Sequence, residues 1–127
     1  MKSSLQILTV LTLAAGCATF ETGVRDPERF GQIAERTMFQ SSRSAAAVSS
    51  CFAETADLYP GSQLLETGDG GTAYVLRVAG FTFERITFSS VDRGSTVTIE
   101  LAPGVDARWR RDMESGRLVP LRACLGS

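Results

Sequence analysis

The spacing of apolar residues divides the chain into a helical first part and a β-rich second part. Asp26-Pro27-Glu28 has the composition of a helix start, with an N-cap residue, a proline at the first helical position and an acid in the first turn. The apolar residues that follow recur at helical spacing and predict a first helix: Phe30, Ile33, Ala34 and Met38.

A second helix is predicted over Arg43 to Tyr59. The break at Ser41-Ser42 supplies its N-cap, and Pro60-Gly61 ends it. The alanines at 45–47 favour a helix and allow close packing. Its apolar face is expected to carry Val48, Cys51, Phe52, Thr55 and Tyr59.

Beyond Gly61 the apolar period changes from helical to extended. The glycine-rich turn at 68–71 precedes a strand and lacks the Gly-Lys-Ser/Thr of a phosphate-binding loop, so it predicts a hairpin. A second turn is predicted at 92–94. The alternation predicts four antiparallel strands, at Gln63 to Thr67, Thr72 to Ala79, Phe81 to Ser89 and Ser95 to Leu101.

The third and fourth of these strands carry finer signals. In the third, the apolar residues change parity between Phe83 and Ile86, which predicts a bulge or bend near Glu84-Arg85. The fourth alternates cleanly, which predicts a half-buried strand with Leu101 facing inward and Glu100 facing outward.

The segment 105–125 is ambiguous. Asp106 to Glu114 is expected to form a helix that stops at Gly116, although a fifth strand is the alternative. Pro120 excludes one continuous helix but is suited to begin a last turn that carries Cys124.

The order of elements predicts an α+β fold. Two N-terminal helices are followed by a four-stranded antiparallel meander and a C-terminal helical or strand element. The length leaves room for one such domain, which is placed at residues 26–127.

The start of the chain has the pattern of an export signal. Lys2 precedes an apolar run, Leu5 to Ala15, that is too short to span a bilayer and ends in Leu13-Ala14-Ala15-Gly16-Cys17. This ending resembles the lipobox of bacterial lipoproteins. The resemblance implies that residues 1–16 are a signal peptide, that Cys17 is acylated, and that residues 17–25 form a lipidated tether. An ordinary secretory signal cleaved near the same place is the alternative.

The lipobox resemblance also implies a location. By analogy with enterobacterial lipoproteins, Ala18 in place of the retaining Asp implies sorting to the outer membrane, with the protein facing the periplasm.

Removing Cys17 from the count leaves Cys51 and Cys124, which are expected to pair in an oxidising compartment. The bridge would close a loop of about 73 residues and stabilise the domain by ~4 kcal/mol. Two buried free thiols are the alternative.

The amino-acid composition excludes several classes of active site. The chain has no histidine, and its only lysine is Lys2. Ser-His-Asp and Cys-His nucleophiles, Ser-Lys hydrolases and histidine-ligated zinc sites therefore cannot be assembled from the mature chain. Carboxylate chemistry remains open. Glu54 and Asp57 lie one helical turn apart, but solvated surface acids are the simpler interpretation.

The most distinctive polar cluster is Arg108-Trp109-Arg110-Arg111. Three guanidiniums around an indole suit a phosphate, a sugar or an acidic partner surface. Two observations oppose this interpretation. Acids at 106, 112 and 114 would neutralise much of the local field, and a lone Trp in a small domain is commonly a core residue.

These observations predict a non-catalytic cell-envelope lipoprotein that is held to the membrane by its N-terminal lipid and binds an envelope component or a partner protein. The alternative is an inhibitor of envelope polysaccharide hydrolases, or a carboxylate-based enzyme that acts on such a polysaccharide. No cofactor and no metal is expected. The net charge of −1 and the lack of a basic stripe with interleaved aromatics argue against nucleic acid.

Overall fold

The computed structural model describes residues 23–126. The predicted signal peptide, the Cys17 lipidation site and most of the tether therefore lie outside the described residues. The helices are α1 (Pro27–Ile33), α2 (Ala45–Thr55), α3 (Ala107–Met113) and α4 (Val119–Cys124), and a π-helical segment, Glu114–Leu118, joins α3 to α4. The strands are β1 (Glu35–Ser41), β2 (Ser62–Glu66), β3 (Thr72–Val78), β4 (Phe81–Val91) and β5 (Gly94–Leu101). The predicted α+β class is confirmed.

The five strands form one antiparallel sheet in the order β1-β5-β4-β3-β2. The predicted meander corresponds to β2–β5, but four strands is wrong because β1 adds a fifth beside β5. Two N-terminal helices in succession is wrong for the same reason: α1 ends at Ile33, and Met38 lies in β1. Backbone pairing with β5, from Glu35 opposite Leu101 onward, makes this segment a strand.

Side-chain caps fix where the first two helices begin. The Asp26 carboxylate accepts a hydrogen bond from the Glu28 amide at 3.0 Å, as the sequence predicts. In α2 the cap is Ser44, whose hydroxyl accepts from the Ala47 amide at 3.1 Å. The second helix is therefore shorter than predicted, because Ser41 belongs to β1 and the chain leaves the helix after Thr55.

A bulge interrupts the pairing of β3 with β4. Leu76 lies opposite Glu84 but Arg77 lies opposite Thr82, so Phe83 has no partner on β3. The irregularity is next to the predicted position at Glu84-Arg85. It allows the neighbouring side chains Phe83 and Glu84 to reach the same group on α3, which is described below.

One face of the sheet carries α2, α3 and α4 and most of the hydrophobic core. The fully buried residues there come from α2, β4, β5 and α4, and include Val48, Phe52, Phe88, Val97 and Leu121. The predicted disulfide between Cys51 and Cys124 is confirmed, with Cα atoms 5.7 Å apart. It joins α2 to α4 above this core.

The opposite face of β5 departs from the prediction at Glu100. Glu100 points away from the core, yet it is only 4% exposed. Two arginines on the flanking strands lie opposite it, Arg36 and Arg85. Arg36 also donates to the Gly31 carbonyl at 2.7 Å, and the Arg85 guanidinium lies 5.2 Å from the Phe30 ring centroid. The outward carboxylate is therefore covered by its own ion pairs and by α1.

The C-terminal segment is helical, as favoured, but the predicted stop at Gly116 is wrong. The helix widens into π geometry, in which the Val119 amide donates to the Glu114 carbonyl. Pro120 has no amide hydrogen, and the Gly116 carbonyl instead accepts the Asp57 amide at 2.8 Å. A Cβ on Gly116 would lie 3.1 Å from the Asp57 carbonyl oxygen, so glycine permits this close approach.

Candidate functional site

The arginine-tryptophan cluster lies on α3, a helix that begins at a side-chain cap. Asp106 accepts a hydrogen bond from the Trp109 amide at 2.9 Å, which fixes the first turn. Because successive residues rotate by about 100° around a helix, neighbouring side chains leave α3 in different directions, while Arg108 and Arg111, three positions apart, share one side. The structure accordingly divides the cluster into three separate environments.

Trp109 packs against the sheet and against the segment after α2. Its ring stacks on Phe83 with centroids 5.0 Å apart, and Tyr59 meets it edge-on at 4.9 Å. The indole nitrogen donates to the Glu84 carboxylate at 2.5 Å. The indole N–H and one ring face are therefore committed to contacts within the domain.

Arg110 reaches across to β1. Its guanidinium donates two hydrogen bonds to the Glu35 carboxylate and lies 3.4 Å from the Pro103 carbonyl oxygen. The hydrogen bond that Arg110 donates to Glu35 raises the pKa of Arg110 above its ordinary value. Arg110 therefore links α3 to the edge of the sheet.

Arg108 and Arg111 are exposed and lie one helical turn apart. Neither forms an ion pair with a carboxylate within residues 23–126. The nearby acids have other partners: the carboxylate of residue 106 caps the helix, that of residue 112 accepts from the Tyr59 hydroxyl, and that of residue 114 pairs with Arg122. These two guanidiniums are thus free to donate to an anionic group.

Beneath α3 lies a buried ion pair that the sequence did not reveal. Arg117 is 2% exposed and donates through Nε and Nη2 to both carboxylate oxygens of Glu84. Its Nη1 donates to the Asp112 carbonyl at 3.2 Å, and its guanidinium lies 4.5 Å from the centroid of the Tyr59 ring. The only available signal was that Glu84 shares the parity of Ile86 and Phe88, which marks it as an inward-facing acid.

Burial governs the protonation of this pair's carboxyl group. Removal from water raises the pKa of Glu84 above its ordinary value, and this outweighs the lowering by the Arg117 charge and by the Trp109 hydrogen bond. Burial also raises the pKa of Tyr59, with the hydrogen bond to Asp112 acting in the same direction. A surface cleft of about 300 Å³ opens beside Tyr59, Asp112 and Arg117.

Two acids line this cleft, Asp57 and Asp112, and the Asp112 carboxylate accepts a hydrogen bond from the Tyr59 hydroxyl. Glu54 and Asp57 are both exposed at the end of α2, and both oxygens of Glu84 accept hydrogen bonds. In the part of the chain that the structure describes, no three potential metal-ligating side chains come together. Nor does any helix there have the length and apolar character to cross a bilayer.

Comparisons with protein-family models, with curated proteins and with solved structures find no significant match to this chain. Its function has to be inferred from its own residues.

Proposed function

We propose that this protein is a non-catalytic, lipid-anchored protein of the cell envelope that binds an anionic envelope component or partner protein. The anchor is Cys17, and the proposed location is the periplasmic face of the outer membrane. The contact surface is the pair Arg108 and Arg111. The proposal rests above all on the apolar run that ends in Gly16-Cys17, placed shortly before a disulfide-linked domain.

The disulfide supports export. Disulfides persist in oxidising compartments and are rare in a reducing cytosol. Because Cys51 and Cys124 are joined to each other, Cys17 is the one remaining cysteine of the three in the chain. A single cysteine directly after a signal-like apolar run is the residue that a lipoprotein would acylate. Several acyl chains on one residue would hold the protein firmly to a bilayer.

The exposed arginines of α3 support binding. Guanidinium groups recognise phosphates and carboxylates through paired N–H donors. Arg108 and Arg111 present two such groups on one side of a capped helix, while Trp109 and Arg110 hold that helix against the sheet. A rigidly mounted pair of cations is suited to a ligand that carries negative charge.

The lipid anchor is tested by the intact mass of protein extracted from membranes. We expect cleavage before Cys17, the added mass of acyl chains, and two hydrogens lost to the bridge between Cys51 and Cys124. The Cys17→Ser variant should retain the bridge and lose the acyl mass and the membrane association. Full-length protein in the cytosol, unmodified and with reactive thiols, would contradict the proposal.

The binding surface is tested by crosslinking the lipidated protein in intact cells and identifying what is captured. We expect wild type to capture one reproducible protein or cell-wall fragment, and the Arg108→Gln/Arg111→Gln variant to lose it. The matched control is Arg29→Gln/Arg93→Gln, which removes two other exposed arginines. Equal capture by both variants would show that α3 is not the contact surface.

A further inference from the structure

The chain enters the fold beside the hairpin that joins β3 to β4. The Val24 amide donates to the Thr82 carbonyl at 3.0 Å, and the Thr82 amide donates to the Val24 carbonyl at 2.7 Å. Just before this bridge, a Cβ on Gly23 would lie 2.7 Å from the Phe81 Cβ and 2.8 Å from the Phe83 ring. The first described residue is therefore fixed at this end of the sheet.

This end presents a mixed apolar and cationic surface, which we call the hairpin end: Arg25, Arg77, Val78, Ala79 and Phe81. Val78 is 53% exposed. The Arg25 guanidinium lies 5.0 Å from the Phe81 ring centroid, and Arg77 Nε donates to the Thr82 hydroxyl at 3.1 Å. Both cations are thus held beside the apolar residues.

The turn at the tip of the hairpin end is tight and carries no bulky side chain. Ala79 has φ of 53° and Gly80 has φ of 83°, so both central residues of the turn are left-handed, as in a two-residue hairpin. A flat surface such as that of a bilayer can approach this turn closely, because the Ala79 methyl group is the only side chain at its two central positions.

Two guanidiniums lie at the hairpin end, those of Arg25 and Arg77. The helix start that follows Arg25 in the chain carries two acids, Asp26 and Glu28, and one further arginine, Arg29. The Asp26 carboxylate is occupied by the cap of α1. Arginines near an anionic leaflet each contribute favourably to binding, and apolar side chains insert at the boundary with the acyl chains.

We propose that the hairpin end rests on the phospholipid bilayer, with Val78 and Phe81 at the acyl boundary and Arg25 and Arg77 on lipid phosphates. The inference depends on the proposed anchor at Cys17. Only residues 18–22 separate Cys17 from Gly23, and six residue steps of extended chain span at most about 20 Å. The tether holds the hairpin end close to the headgroups, so a weak affinity suffices to keep it there.

The orientation is tested with a matched pair of tryptophan probes. Val78 and Val91 have similar exposures of 53% and 50%. Val78 ends β3 opposite Phe81, and Val91 ends β4 at the other end of the sheet, about 34 Å away along the strand. Residues 17–127 carrying Val78→Trp or Val91→Trp are coupled through the Cys17 thiol to a maleimide lipid. The lipid is placed in phosphatidylethanolamine–phosphatidylglycerol vesicles with brominated acyl chains. Trp109 gives the same background in both proteins.

We expect the brominated lipid to quench the probe at position 78 and to leave the probe at position 91 as bright as in solution. On the Val78→Trp background, Arg77→Gln should lower the equilibrium constant for contact with the bilayer about fivefold. Arg93→Gln, at the far end of the sheet, should leave this constant unchanged. Equal quenching of the two probes, or quenching of neither, would overturn the proposed orientation.

Chemical coupling makes this outcome independent of processing in the cell. If membrane-extracted protein lacks acyl chains, the proposed anchor fails, whatever the coupled vesicles show. If the extracted protein is acylated but the coupled Val78→Trp protein is not quenched, the anchor stands and the hairpin-end orientation fails.

Discussion

Two carboxylates on neighbouring strands, Glu84 and Glu100, are equally hidden from solvent but have opposite electrostatic environments. Each is 4% exposed. Glu84 lies on the core side and pairs with Arg117, whose side chain is 2% exposed. Glu100 lies on the other side and pairs with Arg85 and Arg36, whose side chains are 29% and 45% exposed. The exposure of the carboxylate itself therefore does not distinguish them.

The difference shows in the direction of their pKa shifts. For Glu84 the loss of hydration prevails and raises the pKa. For Glu100 the loss of hydration is also the largest single contribution, but the hydrogen bonds and charges of Arg85 and Arg36 together exceed it and lower the pKa. Glu84 lies deeper in the protein, so its loss of hydration outweighs its one arginine, whereas two arginines outweigh the loss of hydration at Glu100.

The largest effect is expected from removing the disulfide. Of the two groups of paired charges, it holds only the pair Glu84 and Arg117 and not the group Glu100, Arg85 and Arg36. Glu100, Arg85 and Arg36 all lie in the sheet, whereas Arg117 lies in the π-helical segment that leads into α4. Replacing Cys51 and Cys124 by alanine should lower the free energy of unfolding by ~4 kcal/mol. Amide hydrogen exchange should accelerate more around Arg117 than around Glu100. An unchanged thermal transition would mean that the thiols are not joined in the protein.

The next largest effect is expected from Arg117→Ala. Glu84 would remain buried without its cation, and breaking a buried pair in this way costs at least about 3 kcal/mol. Urea unfolding measures the loss. Arg122→Ala is the matched control, since it removes an arginine from the same helical segment whose ion pair with Glu114 is exposed. Similar losses from the two variants would contradict the importance of burial at Glu84.

A smaller loss is expected from Arg85→Ala. Arg36 would still donate to Glu100, and both arginines are partly hydrated, so the free energy of unfolding should fall by about 1 kcal/mol or less. The same urea titration applies. A loss as large as that of Arg117→Ala would remove the distinction between the two clusters.

The finest distinction is expected in the pH dependence of stability. The pKa of Glu84 is raised on folding, so its contribution to the free energy of unfolding falls as pH rises from the ordinary value of 4.5 through the folded value. The pKa of Glu100 is lowered, so its contribution is present above 4.5 and is lost as pH falls through the folded value.

Substitution by glutamine tests these two signs. Urea titrations over a range from about pH 3 to 7 should show a steeper rise of stability with pH for Glu84→Gln than for wild type. They should show a shallower rise for Glu100→Gln. Slopes that change in the same direction in both variants would be inconsistent with the two environments.

The sequence predicted the elements whose signals are local. The Asp26 cap, the meander of β2–β5, the irregularity in β4 and the disulfide each depend on neighbouring residues or on simple pairing arithmetic. The strand β1 was missed because Met38 also fits helical spacing with Phe30 and Ile33. A half-covered edge strand has no clear two-residue alternation, and its partner β5 is distant in the chain.

The candidate site was predictable only in part. The arginine-rich stretch was visible, but its division into a packed Trp109, a paired Arg110 and two exposed arginines depends on where Glu35 and Glu84 lie in the fold. Arg117 gave no signal, because Gly116 predicted the end of the helix, whereas the helical segment continues through it. Charges that meet across the fold cannot be paired from spacing alone.

The position of β1 at the sheet's edge also sets the order in which the domain assembles. Arg36 and its partner Glu100 are 64 positions apart, so during synthesis the first strand waits while the whole meander is made. Its closing bonds are among the most non-local in the protein, and such contacts form slowly. Cys124 is synthesised later still, so the disulfide forms after the last strand has been made. The sheet and the disulfide are therefore completed only when nearly the whole chain has been made. A chain interrupted before Leu101 would leave β1 without its full partner strand and open to aggregation.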